Sequence, residues 1–520
     1  MKRKIKISKG THVEERIINY IPLRYIVAIL ITFIEVLAII GMVVALCIYV
    51  PYFYFGILIT MVGVELKIIA SDTNPDYKIP WILIVLLIPV VGLMLYFIFA
   101  SRKLKKKFIK KLNDLKALSY KKDDTTQFNT LKEQDNVAYL QSKTICNLAN
   151  THLFTNTKQQ YFPDGISYHE SLLKDLKNAK KFIYLEYFII EEGKFWDSIL
   201  EILKEKATSG VDVKVIFDDI GCMSTLPGNY AKKLKEFGIQ ATPFSRLKGQ
   251  ADNEFNNRNH RKIAVIDGYI GYTGGLNIAD EYINEIKRFG YWKDVGIRLE
   301  GDAVWELTNL FLVDFGINMK TKVDFHPDLY PKTDIEEKGF IVPFGDGPKP
   351  IYQRQVAKTA IENLLNTSTK YVYITTPYLI IDNELCVSIE NAALRGVDVR
   401  IIVPHIPDKK IVFNMTKSFY KRFIDAGVKI YQYKPGFIHA KTYISDDKYA
   451  IVGTINLDYR SLVHHFENGV WLYDCDCIKD VKLDVEDTIN KSIEITPKML
   501  KSNVFNRIFR SLVRIFAPLL

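Results

Sequence analysis

The stretch His260-Arg261-Lys262-Ile263-Ala264-Val265-Ile266-Asp267 has the pattern H-x-K-x4-D, and Gly274-Gly275-Leu276-Asn277 follows after six residues. The pattern occurs once more, from His439 through Lys441 to Asp446, and it is followed in the same way by Gly453 and Asn456. The gaps from His to Lys, Asp, Gly and Asn are identical in the two copies. Identical spacing in two places indicates a duplicated unit, and this duplication decides the fold.

The segments that precede each motif are repeated as well. Residues 181–190 and 210–217 are rich in aromatic and β-branched residues, with apolar residues at helical spacing between them. Residues 370–377 and 396–403 match these two strands in the second half. Alternation of strand, helix and strand predicts an α/β fold with right-handed crossovers. We therefore expect two tandem α/β domains, at 161–330 and 331–500.

Each motif places an imidazole and an ammonium group on one side of a strand, because side chains two residues apart in a strand share a face. The asparagine of each copy follows a glycine-rich turn that can return it to the same place. We expect the motif aspartates to brace the motifs from behind rather than to touch the substrate. The candidate site residues are His260, Lys262, Asp267, His439, Lys441, Asp446, Asn277 and Asn456.

A pocket with two His, two Lys and two Asn suits a phosphodiester. The lysines and asparagines can hold the non-bridging oxygens and stabilise charge on the transferred phosphoryl group. One histidine can attack phosphorus and form a phosphohistidine. The other can protonate the departing alcohol and then deprotonate the incoming one. We expect no metal and no other cofactor, since the lysines supply the positive charge.

The composition indicates a large, basic protein. The chain has 520 residues, of which 48% are hydrophobic, and a formal net charge of +11. A basic excess favours an anionic partner, which is a nucleic acid, an anionic membrane surface or an anionic substrate. The six cysteines are scattered and complete no zinc-ligand set, which favours reduced thiols inside a cell.

Three apolar runs follow the basic N-terminal segment 1–24. They cover residues 25–50, interrupted by Glu35, residues 52–70, and residues 79–100, which carry no charge and contain Pro89. Each run is close to the roughly 20 residues that a membrane helix needs. We therefore expect a membrane domain over 25–100 with two to three transmembrane helices. A basic juxtamembrane segment and linker follow at 101–160.

The lysine cluster after the third run predicts that this end faces the cytoplasm, together with the catalytic domains. The N-terminus is also basic, and three crossings cannot place both ends on the same side. The number of crossings therefore stays open. The C-terminal segment 501–520 predicts an amphipathic basic helix, and either an anionic membrane surface or the protein's own core could cover its apolar face.

At these motifs the chain resembles the phospholipase D superfamily, and within it the bacterial cardiolipin synthases. The resemblance includes the apolar N-terminal runs and the stretches 259–262, 273–277, 375–378 and 456–461. It implies two tandem phospholipase D-like α/β sandwich domains preceded by N-terminal transmembrane helices. It also implies that Asp294 and Glu467, downstream of the motifs, each orient a histidine. In this family the first histidine, here His260, is commonly the nucleophile.

The resemblance further implies transfer of a phosphatidyl group from one phosphatidylglycerol to another, giving cardiolipin and glycerol. The implied partners are phosphatidylglycerol, other anionic phospholipids and the bacterial cell membrane, with no nucleic acid and no obligate protein partner. A membrane-bound phospholipase D-type hydrolase, a nuclease or another phosphatidyltransferase would carry the same motifs. A scaffold without activity is disfavoured, because both motifs are intact.

Overall fold

The computed structural model describes residues 2–9, 12–19, 23–100, 106–119, 121, 123–246, 256–319, 323–500 and 504–519. In chain order these residues form a short hairpin, a group of apolar helices, three connecting helices, two α/β domains and a C-terminal helix.

The N-terminal region begins with an antiparallel hairpin of strands β1 Lys2–Lys9 and β2 His12–Asn19, within the predicted basic segment. The apolar region that follows contains four described helices. They are α1 Leu23–Tyr49, α2 Pro51–Ala70, α3 Pro75–Leu87 and α4 Pro89–Phe99.

The third apolar run is not one helix but two that fold back on each other. The break falls at Ile88, because Pro89 has no N–H to donate and its ring would collide with the carbonyl one turn earlier. The rings of Trp81 and Tyr96 lie 5.6 Å apart, whereas 15 residues of straight helix would separate them by about 22 Å. Gly92 permits this close return, since a Cβ there would lie 2.4 Å from the carbonyl oxygen of Ile84.

Within the described residues, one helical stretch is long and apolar enough to cross a membrane, and it is Tyr52–Ala70 in α2. Phe33–Leu46 and Pro89–Phe99 are apolar but shorter. The expectation of two to three transmembrane helices is therefore not confirmed. The third run forms α3 and α4, which have 13 and 11 residues, and each is shorter than the roughly 20 residues of a helix that spans a bilayer by itself.

The start of α3 is fixed to the second α/β domain. The Asp76 carboxylate accepts hydrogen bonds from the Tyr459 hydroxyl at 3.0 Å and from the backbone N–H of Asn383 at 2.9 Å. The ring of Tyr77 meets the ring of Tyr459 edge-on at 5.3 Å. These contacts connect the apolar helices to the π-helical turn Arg460–His464, which lies just before Glu467.

The predicted juxtamembrane segment and linker are largely helical. The helices are α5 Lys106–Leu118, α6 Thr125–Gln134 and α7 Asn136–Ala149. Asp135 caps α7 by accepting from the backbone N–H groups of Val137 and Ala138. Ile145 of α7 is fully buried against the second α/β domain, so this segment contributes to the core of the catalytic part.

The first α/β domain is built on a sheet of seven described strands in the order β3-β10-β8-β7-β4-β5-β6. Its elements are β3 Thr157–Phe162, α8 Gly165–Asn178, β4 Phe182–Tyr187, α9 Lys194–Thr208, β5 Asp212–Asp218, α10 Tyr230–Glu236, β6 Gln240–Phe244, β7 Lys262–Ile266, β8 Ile270–Gly274, β9 Tyr291–Lys293, β10 Gly296–Gly301 and α11 Val304–Asn318.

The second domain is built on eight described strands in the order β11-β20-β18-β17-β12-β14-β15-β21. Its elements are β11 Phe340–Asp346, α12 Val356–Thr367, β12 Tyr371–Thr375, β13 Leu379–Ile380, α13 Asn383–Leu394, β14 Asp398–Pro404, α14 Lys410–Asp425, β15 Lys429–Tyr433, β16 Gly436–Ile438, β17 Thr442–Ser445, β18 Tyr449–Gly453, β19 Leu457–Asp458, β20 Glu467–Tyr473, α15 Cys477–Asn490 and β21 Ser492–Glu494. Helix α16 Val504–Phe516 follows.

The predicted duplication is confirmed by the sheet topology. In both sheets the motif strand, β7 or β17, pairs antiparallel with the first predicted strand, β4 or β12, and that strand pairs parallel with the next. The seven strands of the first sheet each have a counterpart at the same position in the second, and β21 is an addition at the edge of the second sheet.

The two sheets share one core. Ile263 and Val265 of β7 belong to the same buried cluster as Ile444 of β17 and Val452 of β18. The opposite face of the first sheet packs against α8 and α9, and that of the second packs against α7, α12, α13 and α14. Helices cover the outer face of each sheet, and α11 and α15 pack into the shared core between the sheets. In this sandwich the sheets bring the two motifs together.

Candidate active site

The two motif strands lie in the interior of their sheets. Strand β7 is paired on both sides, by β4 and β8, and each of its five residues is buried. His260 lies two residues before the first residue of this strand, Lys262, whose Nζ donates to the His260 carbonyl oxygen at 2.7 Å. In the second domain the Nζ of Lys441 donates to the carbonyl oxygen of His439 in the same way. Each lysine therefore lies beside its histidine on a fixed strand.

Asp267 and Asp446 lie at the far ends of the motif strands, in turns with φ of 53° and 56°. The Asp267 carboxylate accepts from the backbone N–H groups of residues 180–182 at 2.7 to 2.9 Å. Asp446 accepts from the backbone N–H groups of residues 369–371 at 2.7 to 3.0 Å. Arg261 and the five residues of β7 lie between His260 and Asp267, and the strand alone is about 16 Å long. The two aspartates therefore connect strands and do not face the histidines.

Short backbone pairings join the two halves next to the histidines. Strand β9 of the first half runs parallel to β16 of the second, and the His439 N–H donates to the Lys293 carbonyl oxygen at 2.7 Å. In the reciprocal pairing the His260 N–H donates to the Phe466 carbonyl oxygen at 2.9 Å. Each histidine is thus held beside the segment of the other half that carries the predicted orienting acid.

The orienting acids are therefore exchanged between the halves. Nδ1 of His260 lies 2.9 Å from Glu467 of the second half, and Nδ1 of His439 lies 2.7 Å from Asp294 of the first. Both carboxylates are fully buried. Glu467 also accepts from the hydroxyl of Ser461 at 2.7 Å and from that of Thr454. A carboxylate at Nδ1 favours the tautomer in which Nδ1 carries the proton and Nε2 keeps the lone pair. At His439 the Nζ of Lys441 also lies 2.8 Å from Nδ1, so the carboxylate of Asp294 and the lysine meet at the same nitrogen.

Burial sets the charge of the two imidazoles. It lowers the pKa of His260 to about 3, although the Glu467 carboxylate acts in the opposite direction. Burial, followed by the Lys441 ammonium, lowers the pKa of His439 to about 4. For Glu467, burial alone would raise the pKa, but His260 and then His465 hold it below its ordinary value. Near neutral pH the pocket therefore contains two neutral imidazoles and an ionised Glu467.

The two lysines act on each other across the halves. Burial and, to a smaller extent, the Lys441 ammonium lower the pKa of Lys262 to about 7, although the Glu467 carboxylate acts in the opposite direction. Burial lowers the pKa of Lys441 to about 8, against Asp294 and Glu467. Asn277 of the first motif donates to the hydroxyl of Tyr282, whose ring lies 5.5 Å from that of His439. Groups of both motifs therefore lie close to one site, and the Lys262 ammonium also lowers the pKa of His439. Two crowded, desolvated ammonium groups favour binding of an anion.

The two predicted asparagines are in different situations. Asn277 accepts from the backbone N–H of Ile189 at 3.1 Å and donates to the Tyr282 hydroxyl at 2.6 Å, so protein groups already use its amide. Asn456 is buried, and its Oδ1 has no hydrogen-bond partner in the described part of the chain. Its Oδ1 is therefore available to accept a hydrogen bond from a substrate hydroxyl.

Several aromatic residues at the site were not predicted from the sequence. The rings of Phe188 and His465 lie 5.1 and 5.4 Å from that of His260, and the ring of Trp292 lies 5.5 Å from that of His439. His465 also lies beside Glu467. Its Nδ1 is buried, is 3.7 Å from a Glu467 oxygen, and makes no hydrogen bond within the described structure.

Among the described residues, one group of His, Cys, Asp and Glu side chains is close enough to hold a metal ion. It comprises His260, His465 and Glu467, whose possible ligand atoms lie within 4.8 Å of one another. Glu467 already accepts from His260, Thr454 and Ser461. A cation at this place would compete with the orientation of His260.

Comparison with known proteins agrees with this geometry. Two α/β domains that each carry one H-x-K-x4-D motif, and that together form one site, define a phospholipase D-like enzyme. The family model described as "Cardiolipin synthase, PLD-like domain" matches residues 172–287 and 361–488, and one described as "Phospholipase_D-nuclease N-terminal" matches residues 57–100. The chain belongs to the cardiolipin synthases, a family of phosphatidyltransferases within the phospholipase D superfamily.

The relatives are similar over most of their length. A cardiolipin synthase of Halalkalibacterium halodurans is 32% identical over 89% of this chain and 93% of its own. A cardiolipin synthase 2 of Bacillus anthracis is 32% identical over 87% and 88%. An uncharacterised protein of Streptococcus mutans is 41% identical over 88% and 100%. The crystal structure of a phosphatidylserine synthase from Haemophilus influenzae has the same fold, with a TM-score of 0.55 and 17% identity over 73% and 98%.

Proposed function

We propose that this enzyme transfers the phosphatidyl group of one phosphatidylglycerol to the glycerol headgroup of a second, giving cardiolipin and glycerol. The observation that carries the proposal is the exchanged pairing of His260 with Glu467 and of His439 with Asp294. It leaves two Nε2 atoms available in one pocket with two lysines. Family membership supports a phospholipid substrate, and the choice of phosphatidylglycerol is our inference.

In the first half-reaction, Nε2 of His260 attacks the phosphorus of the donor lipid. The bond from phosphorus to the headgroup oxygen breaks, and the departing glycerol takes a proton from His439. The products are free glycerol and a phosphatidyl group covalently bound to His260. His439 must be protonated for this step, and the negative charge of the bound phosphodiester raises its pKa toward that state.

In the second half-reaction, the headgroup hydroxyl of another phosphatidylglycerol gives its proton to His439 and attacks phosphorus. The bond from phosphorus to His260 breaks, which restores the free imidazole and releases cardiolipin. One phosphodiester replaces another, so the cycle consumes no nucleotide and changes no oxidation state. Water at the same position would give phosphatidic acid instead.

The remaining pocket residues have assigned roles in this proposal. Lys262 and Lys441 hold the non-bridging oxygens and stabilise charge in the transition state. Asn456 accepts a hydrogen bond from the acceptor hydroxyl through its Oδ1, whereas Asn277 fixes the Tyr282 hydroxyl and the backbone at Ile189. Asp294 and Glu467 hold the reactive tautomers, and the motif aspartates brace the strands. No metal or cofactor takes part.

We further propose that the chain is a multi-pass protein of the bacterial cell membrane with its catalytic domains in the cytoplasm. The apolar stretch Tyr52–Ala70 supports membrane association, and the basic cluster between residues 102 and 111 supports the cytoplasmic side. A lipid surface beside the pocket favours a lipid alcohol over water. We propose no nucleic acid substrate and no obligate protein partner.

The test is product analysis. The purified full-length protein is incubated with phosphatidylglycerol in mixed micelles, and the lipids are quantified by mass spectrometry. The proposal expects cardiolipin and glycerol in equal amounts. Phosphatidic acid as the main product would make the enzyme a hydrolase, and a mixed product formed only with added phosphatidylethanolamine would make it a different phosphatidyltransferase.

A further inference from the structure

The C-terminal helix α16 covers the protein with one face and leaves another face exposed. It packs on α14 and contacts α3. Val513 and the buried Ala517, one turn apart, pack against the core of the second domain. The guanidinium of Arg514 lies 5.8 Å from the centre of the Phe419 ring of α14. Docking on the protein's own core was one of the two predicted alternatives for this helix. The structure shows such docking for one face of α16 only.

The exposed face of α16 is an apolar stripe formed by Phe505, Ile508 and Leu512. These side chains are 84%, 53% and 52% exposed. Their spacing of three and four residues puts them on the same side of the helix. Three large exposed apolar side chains in a row, on a helix that packs against the protein with its other face, indicate a surface that a membrane or another molecule covers.

The surroundings of the stripe identify what covers it. Helix α16 contains three arginines and no acidic residue. It contacts α3, which presents the exposed apolar side chains of Ile79, Leu86 and Leu87. The stripe is therefore next to the apolar helical region that carries the membrane-length stretch of α2. Apolar side chains flanked by arginines suit the boundary between the headgroups and acyl chains of an anionic bilayer.

We propose that the stripe Phe505–Ile508–Leu512 inserts into the surface of an anionic phospholipid bilayer and forms a second membrane contact beside that of the apolar N-terminal helices. One contact at each end of the chain restricts how the catalytic domains can rotate above the membrane. The pocket is thereby kept at a constant orientation to the lipid that it takes up. The inference depends on the proposed membrane location but not on the proposed reaction.

The test measures immersion of the stripe directly in the full-length protein. The five cysteines whose side chains are described are buried, so a Cys47→Ser background allows selective labelling. An environment-sensitive fluorophore is attached at Leu512→Cys, and at Ser511→Cys as a matched control, because Ser511 is exposed on the same helix outside the stripe. The protein is reconstituted into vesicles of phosphatidylcholine with or without phosphatidylglycerol, and spin-labelled lipids serve as quenchers.

We expect several-fold stronger quenching at position 512 than at position 511 in vesicles that contain phosphatidylglycerol, and a weaker difference without it. Arg510→Gln together with Arg514→Gln should reduce the difference. Equal quenching at the two positions would overturn the proposal. So would protection of position 512 that rises with protein concentration, because a second copy of the chain would then cover the stripe. Turnover is not the readout, so a failure of the proposed reaction leaves this result unaffected.

Discussion

Nδ1 of His439 lies 2.7 Å from the carboxylate of Asp294, although the two residues belong to different repeats and are 145 positions apart. The reciprocal pair, His260 and Glu467, is 207 positions apart. Neither repeat contains a complete pair of histidine and orienting acid. The duplicated unit therefore supplies two half-sites that become functional only when the sheets pack together.

Removing the charge of an orienting acid should impair catalysis without unfolding the protein. In Asp294→Asn the side-chain amide can donate to Nδ1 of His439, which would move the histidine proton to Nε2. We expect kcat to fall by about 10³–10⁴-fold, as when a triad carboxylate is replaced by its amide. Steady-state kinetics of Asp294→Asn and Glu467→Gln would measure this. The control is Asp328→Asn at an exposed surface position, and equal activity in all three variants would refute the orienting role.

The lysines should determine the alkaline limit of activity. Their pKa values are lowered to about 7 and about 8 by burial, and only the charged form holds the phosphodiester. In the free enzyme a rise in pH through this range removes positive charge, so kcat/KM should fall above about pH 8.

Lys262→Arg keeps the positive charge at all accessible pH values, because arginine is not deprotonated in proteins. We expect lower activity in this variant, since the planar guanidinium does not match the ammonium site, but an alkaline limb moved to higher pH. Lys409→Arg, an exposed position, serves as the control. A wild-type profile that stays flat to pH 10 would contradict the assignment.

The motif aspartates should matter for stability more than for chemistry. Asp446→Ala removes three backbone hydrogen bonds to residues 369–371 and places alanine at a φ of 56°. We expect a loss of about 2–4 kcal/mol in the free energy of unfolding. The kcat per folded molecule should stay close to the wild-type value. Thermal denaturation alongside activity would separate the two effects, and a large fall in kcat at an unchanged melting temperature would place Asp446 in the reaction instead.

Activity should not require a divalent metal ion. The two ammonium groups already provide the positive charge beside the phosphate, so dialysis against EDTA should leave turnover unchanged. The measurement is the rate of cardiolipin formation before dialysis, after dialysis, and after Mg²⁺ or Zn²⁺ is added back. A strict requirement for an added ion would point to the group of His260, His465 and Glu467 as a metal site.

The parts of the fold that could be predicted from the sequence are those governed by local patterns. The aromatic and β-branched content of the strands and the repeated spacing around His260 and His439 indicated the paired domains and the neighbouring lysines. In the third apolar run Pro89 indicated at most a kink. That the two helices then fold back depends on the contact of Gly92 with Ile84, which is a packing feature with no local signal.

The motif residues and the two orienting acids could be predicted, but not all of the contacts between them. Asp294 and Glu467 were identified through the family resemblance, yet which acid meets which histidine depends on the face-to-face packing of two sheets. The proximity of Phe188 and Trp292 to the histidines has the same origin. The motif also does not predict the difference in hydrogen bonding between Asn277 and Asn456, because the partners of Asn277, Tyr282 and the backbone at Ile189, lie outside the motif.

The most direct measurement is identification of the covalent intermediate. The enzyme is mixed with phosphatidylglycerol labelled in its acyl chains, quenched within milliseconds and analysed by peptide mass spectrometry, with His326→Ala at an exposed position as the histidine control. We expect a phosphatidyl group on the peptide that contains His260, and loss of both adduct and turnover in His260→Ala. We also expect turnover to be lost in His439→Ala. Near-normal turnover in either variant, or a labelled enzyme with the adduct on neither histidine, would contradict the two-histidine mechanism.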